Sequence, residues 1–279
     1  MDKNDKYCAA FVRESDRERY LATLFAPPER RGALFSLYAF DIEISRIRDL
    51  AREPMPGEIR LQWWREVLEG ERAGEAAANP VSAALLATLA RDRLAAEKLI
   101  GLLEAHRFDV YDEPMPTLAA LQSYASNTAG AVFDCASRIL GVVSEENAIE
   151  AGQVQTIANV IALLPRHAAR RQLFVPLDLL RQYGSNPDEV FAQQANAELR
   201  AVLAELRLRA RRHLTRIAEL SASIPEKIWP AFLSLAPLWP WLNTMENAAY
   251  QPFQPPELPA WRQQWCIWRA AKSLERIGR

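Results

Sequence analysis

Apolar residues recur at helical spacing through nearly the whole chain, and clusters of proline and glycine cut that pattern into segments. No stretch shows sustained two-residue alternation, so helices are expected and strands are not. The breaks fall at residues 27–28, 54–57, 114–116, 184–187 and 252–259. Each ends one helix and starts the next, because proline lacks the backbone donor and glycine tolerates the terminating conformation. The pattern predicts helices over 31–50, 58–72, two within 80–112, then 117–140, 147–164, 186–220 and 260–277. Thr117 is placed to cap one helix, and Ser144 with Asn147 marks the start of another. None of the breaks is long enough to be a flexible linker. The expectation is an all-α chain forming a single domain over residues 1–279.

Composition narrows the function. The formal net charge is -1, so no global field points to nucleic acid. Cys8, Cys135 and Cys266 lie far apart and read as buried or free thiols in a reducing compartment. His106, His167 and His213 are equally scattered, which argues against a zinc site. The first twenty residues contain no apolar run, so no secretory leader is expected. Residues 228–245 are uncharged but carry Pro230, Pro237 and Pro240, which would break a membrane-spanning helix. That segment is expected to be a broken, buried helix, and the protein to be cytoplasmic or peripheral on the inner face of the cytoplasmic membrane.

Two segments carry the chemistry. The first is YAFDIEISRIRDL, residues 38–50, and the second is GQVQTIANVIALLPRHAARRQLFVP, residues 152–176. With the YxxxxAG stretch of residues 124–130, they resemble the signature regions of the squalene/phytoene synthase family. That family condenses two isoprenoid diphosphates head to head. The resemblance implies an isoprenoid-synthase-type helical bundle around a central apolar cavity. It also implies two D-x-x-x-D motifs facing each other across that cavity. Carboxylates at i and i+4 lie on one helix face, about 6 Å apart along the axis, and together hold magnesium against a diphosphate. In this chain the four motif positions are Ser45, Asp49, Leu163 and His167. One acid remains, so no metal site and no confident catalytic residue are assigned, and magnesium enters only if the chain is an active transferase. Asp41 stands eight residues from Asp49, too far to share one ion, and Glu43 faces another side of the helix.

Tyr38, Asp41, Tyr124, Asn159, Arg166, Arg170 and Arg171 are the remaining candidates for a pocket or phosphate site. The loop arginines either bind a phosphate directly or cap a helix C-terminus in solvent. The segments YLATLFAP, IRLQWWREVLEG, ARRQLFVPLDLLRQYG and PAFL resemble one branch of the family. That branch contains the mitochondrial respiratory complex I assembly factor 6 and departs from the metal motifs. Three functions follow as expectations. They are a non-catalytic role in complex I assembly with an isoprenoid or lipid in the old pocket, an active head-to-head prenyltransferase, and a metal-free isoprenoid or lipid carrier.

Three further features have open readings. Trp63 and Trp64 point about 100° apart, one towards packing and one partly exposed or anchoring a partner. Arg207, Arg209, Arg211, Arg212 and Arg216 form either a solvated face or a surface for lipid headgroups or an acidic partner. In the C-terminal helix, Trp261, Trp265 and Trp268 share one face amid Arg262, Arg269, Lys272, Arg276 and Arg279. This suits either a membrane interface or tryptophans docked on the core.

Overall fold

The helix Pro28–Ser45 is buried on almost every side, from Gly32 through Phe40 without interruption. A helix apolar all round belongs in the middle of a bundle. It packs against Lys3–Ser15 and Pro80–Asp92. A second central helix, Glu145–Ala162, packs on the 24-residue helix Ala197–Leu220 and on the segment around residue 130. The cavity lies between these two central helices. The computed structural model describes all residues except Arg52, Arg93 and Ala248. Among the described residues the chain is a single all-α domain, and the one departure is an isolated antiparallel bridge between Gln251 and Gln254.

Local chemistry explains most of the boundaries. Pro28 and Pro54 each sit at the first helical position, where a missing donor costs nothing. The expected 58–72 helix therefore starts earlier, as Pro54–Leu68. Thr117 does cap its helix, accepting from the Ala120 amide at 3.1 Å. Ser144 occupies the cap position of Glu145–Ala162, but its hydroxyl takes the Asn147 side-chain amide at 2.9 Å and makes no cap bond to the backbone.

Several long helices of the sequence reading are broken. The 31–50 segment becomes Pro28–Ser45 and Ile47–Leu50, separated at Arg46. The 117–140 segment contains a π-helical turn, Ser126–Gly130, between Leu118–Ala125 and Ala131–Ile139. The 186–220 segment divides into Pro187–Phe191 and Ala197–Leu220, each with its own asparagine cap. The 260–277 segment is the helix Ala260–Ala270 followed by the 3₁₀ turn Leu274–Gly278. Residues 226–244 are short helical pieces with Ile228, Phe232, Leu233 and Leu242 buried, as their prolines require. No helix among the described residues is long and apolar enough to cross a membrane.

The tryptophan pair resolves simply. Trp64 is buried edge-on against Phe40, with ring centroids 4.9 Å apart. Trp63 is half-buried and donates to Glu75 at 2.9 Å.

Candidate functional site

Close backbone contact sets the distance between the cavity walls. A side chain on Gly152 would meet the Gly130 amide nitrogen at 2.5 Å and the Ala125 carbonyl at 2.8 Å. The glycines of the two stretches thus touch, and Gln153 adds a bond to the Gln122 carbonyl at 2.8 Å. The π turn lies at this contact; such turns shift side-chain register without ending a helix. Tyr124 and Thr128, before and within that turn, line the cavity.

The cavity has a volume of about 370 Å³. Its wall is mixed rather than apolar as expected. Ile42, Val160, Leu163 and Phe174 supply the apolar part, while Asp16, Asp41, Asp49 and Asp109 face Arg19, Arg46, Arg48 and Arg166. Charged residues so enclosed persist because they are paired. Arg19 bonds Asp41 at 2.5 Å and reaches Asp16 at 3.5 Å. It also lies over the Tyr38 ring, 5.1 Å from the centroid. Burial pushes the Tyr38 hydroxyl well above its ordinary pKa. Arg48 bonds Asp112 from Nε at 2.9 Å and the Ala51 carbonyl at 2.8 Å.

The residue that matters most is Asp49. Arg166 donates to one of its oxygens at 3.1 Å, and Arg170 bonds the other. One carboxylate therefore joins the two motif segments through two guanidiniums. Ser45 turns its hydroxyl back to the Ile42 carbonyl at 3.2 Å. Leu163 contributes only hydrocarbon to the wall. His167 is buried and stacks obliquely on Phe174 at 4.7 Å. Burial, reinforced by Arg166 and Arg170, pushes its pKa down to about 4, so the ring is neutral at pH 7.

This donor set does not fit magnesium. Magnesium seeks several hard oxygen ligands; the four motif positions offer one carboxylate, Asp49, which is engaged by two guanidiniums, and Asp41 and Asp109 are paired with Arg19 and His106. No group of three acids, histidines or cysteines among the described residues is placed to hold a metal.

A second network, only partly expected, lies opposite. His106 Nδ1 pairs with Asp109 at 2.7 Å, and the Tyr124 hydroxyl donates to Asp109 at 2.9 Å. Burial opposes a charge on His106, but the adjacent Asp109 carboxylate overrides it and raises the pKa. Tyr124 is driven well above its ordinary pKa, first by burial and then by Asp109. His106 Nε2 is buried with no hydrogen-bond partner among the described residues. Tyr124 belongs to the YxxxxAG stretch. His106 and Asp109 carry only an i, i+3 spacing, too common a signal to single them out.

The structure thus brings Asp41, Ser45, Asp49, Tyr124, Asn159, Leu163, Arg166 and His167 to one cavity. Arg170 reaches it through Asp49, and Tyr38 lies behind it under Arg19. Arg171 does not belong. Its backbone is left-handed at φ 56°, and its guanidinium stacks on Phe191 at 4.6 Å and approaches Asp188 at 3.7 Å. The turn that ends Leu164–Ala169 aims it away from the cavity. Glu43 also faces elsewhere, towards Arg60 and Trp64.

An all-α bundle with two motif helices across one cavity defines a prenyl-synthase type of fold, and comparison with known proteins specifies it. The sequence model of the squalene/phytoene synthase family matches residues 12–269, and the chain belongs to that family. The bovine protein named NADH dehydrogenase (ubiquinone) complex I, assembly factor 6 is 27% identical over 254 residues, 90% of this chain and 76% of its own length. Phytoene synthase of Arthrospira platensis is 24% identical over 95% of this chain and 92% of its own. Among solved structures, squalene synthase HpnC from Alicyclobacillus acidocaldarius superposes with a TM-score of 0.75 at 24% identity, covering 90% of this chain and 95% of that one.

Proposed function

We propose that this chain is a non-catalytic member of its family that acts in the assembly of respiratory NADH dehydrogenase. The observation that carries this reading is the engagement of Asp49 by Arg166 and Arg170. Departure of a diphosphate requires its charge to be neutralised, and the expected agent is magnesium held on facing carboxylates. Here the facing positions offer a hydroxyl, a leucine, a neutral imidazole and a carboxylate already bound to two guanidiniums. The similarity to a bovine protein named for complex I assembly supports the direction of the function. On this reading the cavity keeps an isoprenoid or lipid without turning it over, with hydrocarbon along Val160, Leu163 and Phe174.

The test has two arms. Deleting the gene should lower the amount of assembled NADH dehydrogenase in membranes, read on native gels, and the wild-type gene should restore it. Purified protein with farnesyl or geranylgeranyl diphosphate and magnesium should give no product above background. Product that disappears in Asp49→Asn would establish the prenyltransferase instead. An unchanged level of NADH dehydrogenase in the deletion strain would remove the assembly role.

A further inference from the structure

The terminal helix Ala260–Ala270 presents two apolar stripes on opposite sides. Ile267 and Ala270 are buried, and Leu274 and Ile277 continue that contact through the following turn. At about 100° per residue, Trp261, Trp265 and Trp268 lie on the far side from Ile267 and Ala270. They are 69%, 51% and 45% exposed. The core is therefore complete without them, and the docked reading of these tryptophans is excluded. Trp265 and Trp268 stack on each other with centroids 5.0 Å apart, which holds both rings as one outward surface. Exposed clustered indoles on a helix already anchored elsewhere call for a partner.

The charges around the indoles choose that partner. Arg262, Arg269 and Lys272 are exposed, and Arg276 is half-exposed. None of the four has a carboxylate partner among the described residues; Glu275, in the turn that follows the helix, pairs with Arg279 at 3.4 Å. Lys272 Nζ instead lies over the Trp268 ring, 5.1 Å from its centroid. Indoles rest at the level of lipid headgroups, with the ring in hydrocarbon and the N–H in the polar layer. Unpaired cations beside them match the phosphates of an anionic leaflet. An interfacial helix needs this combination of one apolar stripe and a basic margin.

We propose that the outward face of Ala260–Ala270 docks on an anionic lipid bilayer, with Trp261, Trp265 and Trp268 in the interface and Arg262, Arg269 and Lys272 on the phosphates. None of these side chains lines the cavity, and the proposal is independent of what the cavity does.

The full chain is mixed with vesicles of phosphatidylcholine alone or with phosphatidylglycerol, and binding is read by flotation. The anionic vesicles should bind it, and binding should fall about tenfold or more when salt is raised from roughly 0.05 to roughly 0.5 M. The triple changes Trp261→Ala, Trp265→Ala, Trp268→Ala and Arg262→Glu, Arg269→Glu, Lys272→Glu should each abolish binding while leaving the helical circular dichroism and the melting temperature unchanged. A measurement on the wild type guards against misfolded variants: brominated lipids should quench the indole fluorescence only in anionic vesicles. No binding to anionic vesicles at low salt would overturn the proposal. Equal binding by folded variants and wild type would overturn it too, as would capture of a protein through these tryptophans without any lipid quenching.

Discussion

The cavity wall and the terminal helix are both rich in cations, yet they use them in opposite ways. In the cavity most arginines are committed to a carboxylate of this chain: Arg19 to Asp41, Arg48 to Asp112, and Arg166 with Arg170 to Asp49, while Arg46 lies over the Phe11 ring. On the terminal helix, Arg262, Arg269 and Lys272 have no such partner among the described residues. Most of the basic run on Ala197–Leu220 sides with the cavity, Arg212 being exposed. Arg209 pairs with Glu205, Arg211 with Glu246 and Arg216 with Glu146, while Arg207 lies over Tyr250. Committed charges organise the fold; uncommitted ones remain for an outside surface.

The comparison can be broken most directly at Arg19. Both Arg19 and Asp41 are largely buried, and removing one partner leaves the other charge unpaired. Arg19→Ala should cost about 3–5 kcal/mol of stability, read by urea unfolding. A loss below about 1 kcal/mol would mean that water replaces the guanidinium and that the cavity charges are not structural.

His167 gives a pH test of the same wall. Its folded pKa, about 4, lies below the ordinary 6.5, so the unfolded chain binds the proton first. Above pH 6.5 both states are neutral and the group has no effect. As pH falls from 6.5 towards 4, stability is lost, by up to roughly 3 kcal/mol, and the loss saturates below 4. His106, raised by Asp109, acts in the reverse sense. His167→Phe should therefore flatten the stability profile between those limits. An identical profile in the variant would place the acid sensitivity elsewhere.

Asp49→Asn sharpens the contrast by turning the cavity mouth into a region of free cations. Its side chain and its two partners are partly exposed, so stability should fall by only about 1 kcal/mol. The released guanidiniums should bind inorganic diphosphate more tightly than the wild type, by about tenfold, in titration calorimetry. Unchanged affinity would show that Arg166 and Arg170 stay occupied without Asp49.

The smallest stability effect is expected where charge is uncommitted. Arg269→Glu or Trp265→Ala should change unfolding free energy by less than about 0.5 kcal/mol. A larger loss would place these side chains in the folded core and erase the difference between the two regions.

The fold was largely legible, because helical periodicity and proline punctuation act over short distances. Residues 117–140 show where that stops: the π turn at Ser126–Gly130 lies where Gly130 meets Gly152, a contact no local pattern records. Most of the site was legible through its motif positions, but His106 and Asp109 were not, since only the packing of Ala96–Tyr111 brings them to Tyr124. Arg166, Arg170 and Arg171 look equivalent in sequence and separate only when the left-handed turn at Arg171 sends its side chain away.

The sequence by itself determined the helical class, the family and the chemistry available at Ser45, Asp49, Leu163 and His167, because those follow from residue identity and short-range order. Only the tertiary structure decided which charges are neutralised. Asp49 and Arg166 are 117 residues apart, and no pattern in either segment encodes their meeting. It also decided which face of the last helix is outside. Trp261, Trp265 and Trp268 form one apolar stripe and Ile267 with Ala270 another, and periodicity weighs both alike. The choice falls to the rest of the bundle, which offers the smaller stripe a matching surface and leaves the indoles to the solvent.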